Sequence, residues 1–98
     1  MSLRIVLEEL IERNKKNIEV YERKIKVLPK GSLHQKHRGN KTYYYLKYRD
    51  SNGKRIDKYV RKEAVPTVQQ QLKKRKEYLD IVAQLKEDIK IARKGLGY

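Results

Sequence analysis

The apolar residues of this chain change period twice. Between residues 41 and 61 they alternate, through Thr42-Tyr43-Tyr44-Tyr45-Leu46-Lys47-Tyr48-Arg49 and again from Arg55 to Val60, with Asp50-Ser51-Asn52-Gly53 between the two runs. On either side they recur every three or four residues. Alternation marks a half-buried strand, and a three-and-four spacing marks a helix with one apolar face. The pattern predicts one α+β domain over residues 1–98. A long helix spans 3–28, a basic antiparallel β-hairpin region spans 32–61, and a second long helix spans 63–94. Residues 32–37 are a candidate third strand with Arg38-Gly39-Asn40 as its turn, although Leu33 is their one strongly apolar side chain.

The first helix carries a seam. Leu7, Ile11, Asn14, Ile18, Tyr21, Ile25 and Leu28 alternate spacings of three and four, with Ile at one heptad position and an Asn at the other. A seam Asn fixes register at some cost in stability. Pro29 and Gly31 end this helix. In the second helix Val65, Val68, Leu72, Leu79, Val82, Ile89 and Ala92 form a stripe, widened by Tyr78 and Leu85. Pro66 fits a first helical turn, or else Thr67-Val68-Gln69-Gln70 caps a later start. Gly95 and Gly97 terminate it. A hairpin returns the chain towards its point of departure, so the helices are expected to run antiparallel and to pair. Leu7, Ile11, Ile18, Tyr21, Ile25, Leu72, Leu79, Val82 and Ile89 are the candidate seam residues, available within one chain or between two copies in a homodimer.

The turn sets the strand register. With Ser51-Asn52-Gly53 as a three-residue loop and Gly53 in its left-handed position, Tyr48 pairs with Ile56, Leu46 with Lys58 and Tyr44 with Val60. That gathers Tyr44, Leu46, Tyr48, Ile56 and Val60 on one face. Tyr43, Tyr45, Lys47, Arg49, Arg55, Asp57, Tyr59 and Arg61 fall on the other, and a slip of one residue would bury the second set.

Charge singles out the same segment. The 98 residues carry 26 Lys+Arg and 12 Asp+Glu, a formal net charge of +14. Residues 29–62 hold eleven basic and two acidic side chains, a net +9, against +2 before them and +3 after. Only 38% of the residues are apolar, too few for a large spherical core but enough for seams and one sheet face. There is no Cys, so neither a disulfide framework nor a thiolate metal site can form. No aliphatic run exceeds three residues, and nothing resembles a signal peptide, so the expected location is cytoplasmic and no membrane partner is expected. Neither helix pairs a Lys/Arg face with Trp or Phe, which the chain lacks, as a membrane-surface helix would.

Catalysis is not expected. The only histidines, His34 and His37, lie in the basic connector, and no acidic residue occurs between Glu22 and Asp50. The acidic neighbours Glu8-Glu9 and Glu87-Asp88 point in different directions on a helix. As a metal pair, His34 and His37 would lie on opposite sides of a strand. No glycine-rich phosphate loop is present, and no cofactor is expected. The basic, tyrosine-rich hairpin remains. Lys and Arg bind phosphates with counterion release, tyrosines stack on bases or hydrogen-bond phosphate, and a two- or three-stranded ribbon can enter a DNA major groove. The candidate nucleic-acid-binding residues are Lys36, Arg38, Lys41, Tyr43, Tyr45, Lys47, Arg49, Lys54, Arg55, Tyr59 and Arg61.

Gly31-Ser32-Leu33, the Lys41-to-Tyr45 strand, the Asp50-to-Arg55 turn and Arg61-Lys62-Glu63-Ala64 resemble the arm-type DNA-binding domain of phage and transposon tyrosine recombinases. That resemblance implies a three-stranded sheet backed by a helix and reading the major groove. The chain departs from the family in its long first helix, and no recombinase catalytic domain follows in the sequence, so strand cleavage does not carry over. The longer series from Leu28-Pro29-Lys30-Gly31-Ser32-Leu33 through Tyr43-Tyr44-Tyr45-Leu46-Lys47-Tyr48-Arg49 to Tyr59-Val60 is similar to a group of small bacterial proteins and implies no activity. The expected function is non-catalytic nucleic-acid binding, with DNA preferred to RNA, in a phage or mobile-element setting. The competing expectation is a helical adaptor that binds a protein partner through its seams.

Overall fold

The computed structural model describes residues 2–97 and has the order α1 (Leu3–Lys26), β1 (Ser32–Arg38), β2 (Lys41–Arg49), β3 (Arg55–Val60), a 3-10 turn (Lys62–Ala64) and α2 (Val65–Gly95). The α+β expectation holds. Ser2 caps α1, its Oγ accepting from the Ile5 N–H at 3.3 Å, and Arg23, Lys24 and Lys26 lie in the last turn, where cations complement the helix dipole. The helix stops two residues short of the expected end, with Val27 as its C-cap. α2 starts at Val65, so Pro66 occupies the first turn and the later start at Thr67 is not used. No described helix is long and apolar enough to cross a membrane.

By its packing the chain divides into two compact units. The scarcity of apolar residues accounts for this, since two small clusters form in place of one core. One unit comprises the residues up to Val27 and those from Lys76 onward. In it Ile11, Ile89 and Ala92 are buried, with Leu7, Leu10, Ile18 and Leu96 packed around them. Buried Asn14, 7% exposed, donates from Nδ2 to the Leu85 carbonyl at 3.4 Å. Farther along, the Tyr21 and Tyr78 rings lie 5.4 Å apart. Position rises along α1 as it falls along α2, so the helices are antiparallel, and the seam closes within one chain.

The α2 stripe that meets α1 differs from the expected one. Tyr78, Val82, Leu85, Ile89, Ala92 and Leu96 face α1, whereas Leu79 is 40% exposed. Spacings of four, three, four, three and four keep a stripe on one face of a helix. Leu79 lies one residue, about 100°, off that line. Leu72 also leaves the expected seam, since it packs in the other unit.

That unit, Leu28–Arg75, contains the sheet. The candidate third strand forms, and the order is β1-β2-β3, all antiparallel. The turn between β1 and β2 is shorter than expected: Gly39-Asn40 suffices, and Arg38 is already paired with Lys41. Between β2 and β3 the expected register is found, with Tyr44 opposite Val60, Leu46 opposite Lys58 and Tyr48 opposite Ile56. Its cause lies in the turn. The Gly53 N–H donates to the Asp50 carbonyl, Asp50 N–H donates to Lys54 O, each at 3.0 Å, and Gly53 has φ +79°, a conformation an L side chain resists. Buried Leu46, Val60 and Val65 then pack with Leu33, Tyr44, Tyr48, Ala64, Val68 and Leu72. Each fully buried aliphatic contributes about 1.5–3 kcal/mol, so the first turns of α2 and one sheet face stabilise each other.

Candidate nucleic-acid interface

With one sheet face against α2, alternation sends the other outward. Its three strands bring Ser32, His34, Lys36 and Arg38 beside Lys41, Tyr43, Tyr45, Lys47 and Arg49, and these beside Arg55, Asp57 and Tyr59. Tyr45 and Tyr59 are cross-strand partners with ring centroids 5.9 Å apart in an edge arrangement. Lys36 Nζ lies 4.9 Å from the Tyr45 centroid, a cation–π distance. Tyr59 is 55% exposed, while Tyr43, Tyr45 and Lys47 are half-buried by their neighbours. Tyr45 is thus braced from two sides.

The candidate residues fall close together. Lys36, Arg38, Lys41, Tyr43, Tyr45, Lys47, Arg49, Arg55 and Tyr59 share the outer face of the sheet. Lys54 is in the β2–β3 turn, and Arg61 follows β3 as the N-cap of the 3-10 turn. Asp57 is the one carboxylate on the outer face of the strands. It lies opposite Lys47 and 3.9 Å from Lys36 Nζ, an exposed pairing that contributes little to stability. At the tip, Asp50 Oδ1 accepts from the N–H groups of Asn52 and Lys54, each at 2.9 Å. Arg49 donates to the Gly53 carbonyl at 3.0 Å, which anchors its guanidinium beside the turn.

His34 and His37 face opposite sides. His34 Nε2 is 2.9 Å from Ser32 Oγ on the outer face, and His37 Nδ1 is 3.0 Å from Thr42 Oγ1 on the other. Among the described residues no cluster of three metal-ligating side chains occurs.

Sequence reasoning missed part of the positive surface. Residues 28–75 carry fourteen Lys/Arg and three Asp/Glu, a net +11, leaving +3 for the helix-pair unit. The additional cations are Lys73, Lys74 and Arg75 of α2, which belong to the sheet's unit. The run Lys73-Lys74-Arg75-Lys76 was visible in the sequence, but assigning all of 63–98 to one helix grouped it with the wrong neighbours.

No curated protein and no solved structure matches the chain. A family model described as a domain of unknown function, DUF6788, matches residues 4–70. The matched stretch takes in nearly all of α1, the whole sheet and the first turn of α2. With about two thirds of its length matched, the chain belongs to the DUF6788 family.

Proposed function

We propose that this protein is a non-catalytic, cytoplasmic nucleic-acid-binding protein that uses the outer face of its β-sheet, and that its ligand is DNA in preference to RNA. The observation that carries this reading is the outer face itself. Arg38, Lys41, Lys47, Arg49 and Arg55 share it with Tyr43, Tyr45 and Tyr59, against the single carboxylate of Asp57. Cations supply phosphate affinity, and tyrosine rims supply hydrogen bonds and apolar contact to base edges. The DNA major groove, ~12 Å wide, exposes base edges that a β-ribbon can contact. The deep, narrow major groove of A-form RNA does not admit such an element. A phage or mobile-element role accords with the resemblance to recombinase arm-type domains. The adaptor reading loses support because α1 and α2 close their seam on each other.

The test is a salt titration of binding to duplex DNA, single strands and structured RNA. Wild-type protein is expected to favour the duplex, with log K falling by about 0.9 per phosphate neutralised for each unit of log salt. Replacing Lys47, Arg49 and Arg55 together by Ala is expected to flatten that slope. An unchanged slope would remove the sheet from the interface.

A further inference from the structure

The strand register opposes like charges at both ends of β2. Beside the β1–β2 turn Arg38 is paired with Lys41, and beside the β2–β3 turn Arg49 is paired with Arg55. All four side chains are exposed. They share the outer face, because residues 41 and 49 are in phase with Tyr43 and Tyr45. Directly opposed residues have Cβ atoms about 4.5–5.5 Å apart, and like charges there destabilise the pairing. The free sheet therefore carries an electrostatic cost at each end that a bound anion would relieve. The nearby carboxylates are engaged elsewhere: Asp57 lies near Lys36, and Asp50 Oδ1 is bonded to turn amides.

Eight residue steps separate Lys41 from Arg49, about 26 Å at ~3.3 Å per step. A major groove is ~12 Å wide. A sheet lying across such a groove would carry both of its turns beyond the groove walls and onto the sugar-phosphate backbones. We propose that Arg38–Lys41 and Arg49–Arg55 are two separate phosphate clamps that grip the two backbones flanking one groove of double-stranded DNA, with Tyr43, Tyr45 and Tyr59 held between them over the base edges. The inference rests on the nucleic-acid reading and adds the division of labour: the ends of the sheet position, and its middle contacts bases.

The experiment uses the full chain with duplex DNA of about two helical turns (~20 bp) and single-stranded DNA of the same length. The variants are Arg38→Gln with Lys41→Gln, Arg49→Gln with Arg55→Gln, and all four together. Arg55→Gln alone is included because Arg49 also holds the turn. On the duplex, each double variant is expected to reduce the salt slope by about 1.8 and the quadruple variant by about 3.6; a slope change of 1.8 is an affinity loss of about 60-fold at ~0.1 M salt. Arg55→Gln is expected to remove about half of its pair's effect. Without DNA, Arg38→Gln with Lys41→Gln, and Arg55→Gln alone, are expected not to melt below wild type, since each removes a repulsion, whereas the Arg49 double variant also loses the bond to the Gly53 carbonyl. Wild-type duplex binding with unchanged slopes in the variants would overturn the clamps and leave the nucleic-acid reading standing. Equal slope losses on single strands and duplex would overturn the two-backbone arrangement. Failure of the wild-type protein to bind either DNA would overturn both readings.

Discussion

Replacing Gly31 by Ala should be among the most damaging single changes available on the surface of the sheet unit. Gly31 is exposed, yet it has φ +107°, and a Cβ built on it would sit on the Lys47 carbonyl oxygen, 2.8 Å from Tyr48 Cβ and 3.0 Å from the Lys47 carbonyl carbon. Two costs combine. An L-residue forced into positive φ loses about 1–2 kcal/mol. Overpacking against a neighbour adds about 1–3 kcal/mol, and here the nearest atoms are the backbone of central strand β2, which cannot rotate aside. The expected loss is about 2–5 kcal/mol, a large share of the ~5–15 kcal/mol that holds a domain of this size. Gly53→Ala separates the two costs. That residue also has positive φ, +79°, but a Cβ there meets nothing within 4 Å, so only the conformational cost of about 1–2 kcal/mol applies. Urea denaturation followed through the tyrosine near-ultraviolet signal, which the sheet's tyrosines dominate, measures both. A loss below about 1 kcal/mol for Gly31→Ala, or equal losses at the two glycines, would refute the argument that the chain enters β1 too close to β2 for a side chain.

Two further predictions concern the helix pair. Asn14→Leu is expected to leave stability unchanged or raise it, because a lone buried amide with one 3.4 Å hydrogen bond is replaced by apolar contact; the same change is expected to loosen register, read as faster amide hydrogen exchange near Leu85, and a loss above about 2 kcal/mol would show that the hydrogen bond dominates. Val82→Ala, at a site 6% exposed, is expected to cost about 1–3 kcal/mol, whereas Leu79→Ala, at 40% exposure, should cost less than about 1 kcal/mol; thermal melts that reversed this order would restore Leu79 to the stripe.

Much of the sheet was legible beforehand because its information is local. Alternation over Tyr43–Tyr48 assigns faces, and Asn52-Gly53 permits one tight turn, which leaves one register for β2 and β3. The end of α1 and the start of α2 were readable to within two residues from Pro29 and Pro66. β1 was less so. Its residues are polar and exposed apart from Leu33, and it is held by backbone hydrogen bonds to β2 that leave little trace in a side-chain pattern. The candidate cations on the sheet were found for the same reason as its register, while Lys73, Lys74 and Arg75 were assigned to the wrong neighbours because a continuous helix hides where one packing unit gives way to another.

By itself, then, the order of residues specified two long helices, a tight basic hairpin and which tyrosines share a face, all consequences of backbone periodicity and turn stereochemistry acting over a few residues. Tertiary packing decided the rest: that Tyr78 and not Leu79 meets α1, that the α1 seam is satisfied inside one chain, and that Leu72 serves the sheet. Those outcomes depend on which distant surfaces exclude water together, and hydrophobic contact carries no directional mark in the sequence to announce its partner.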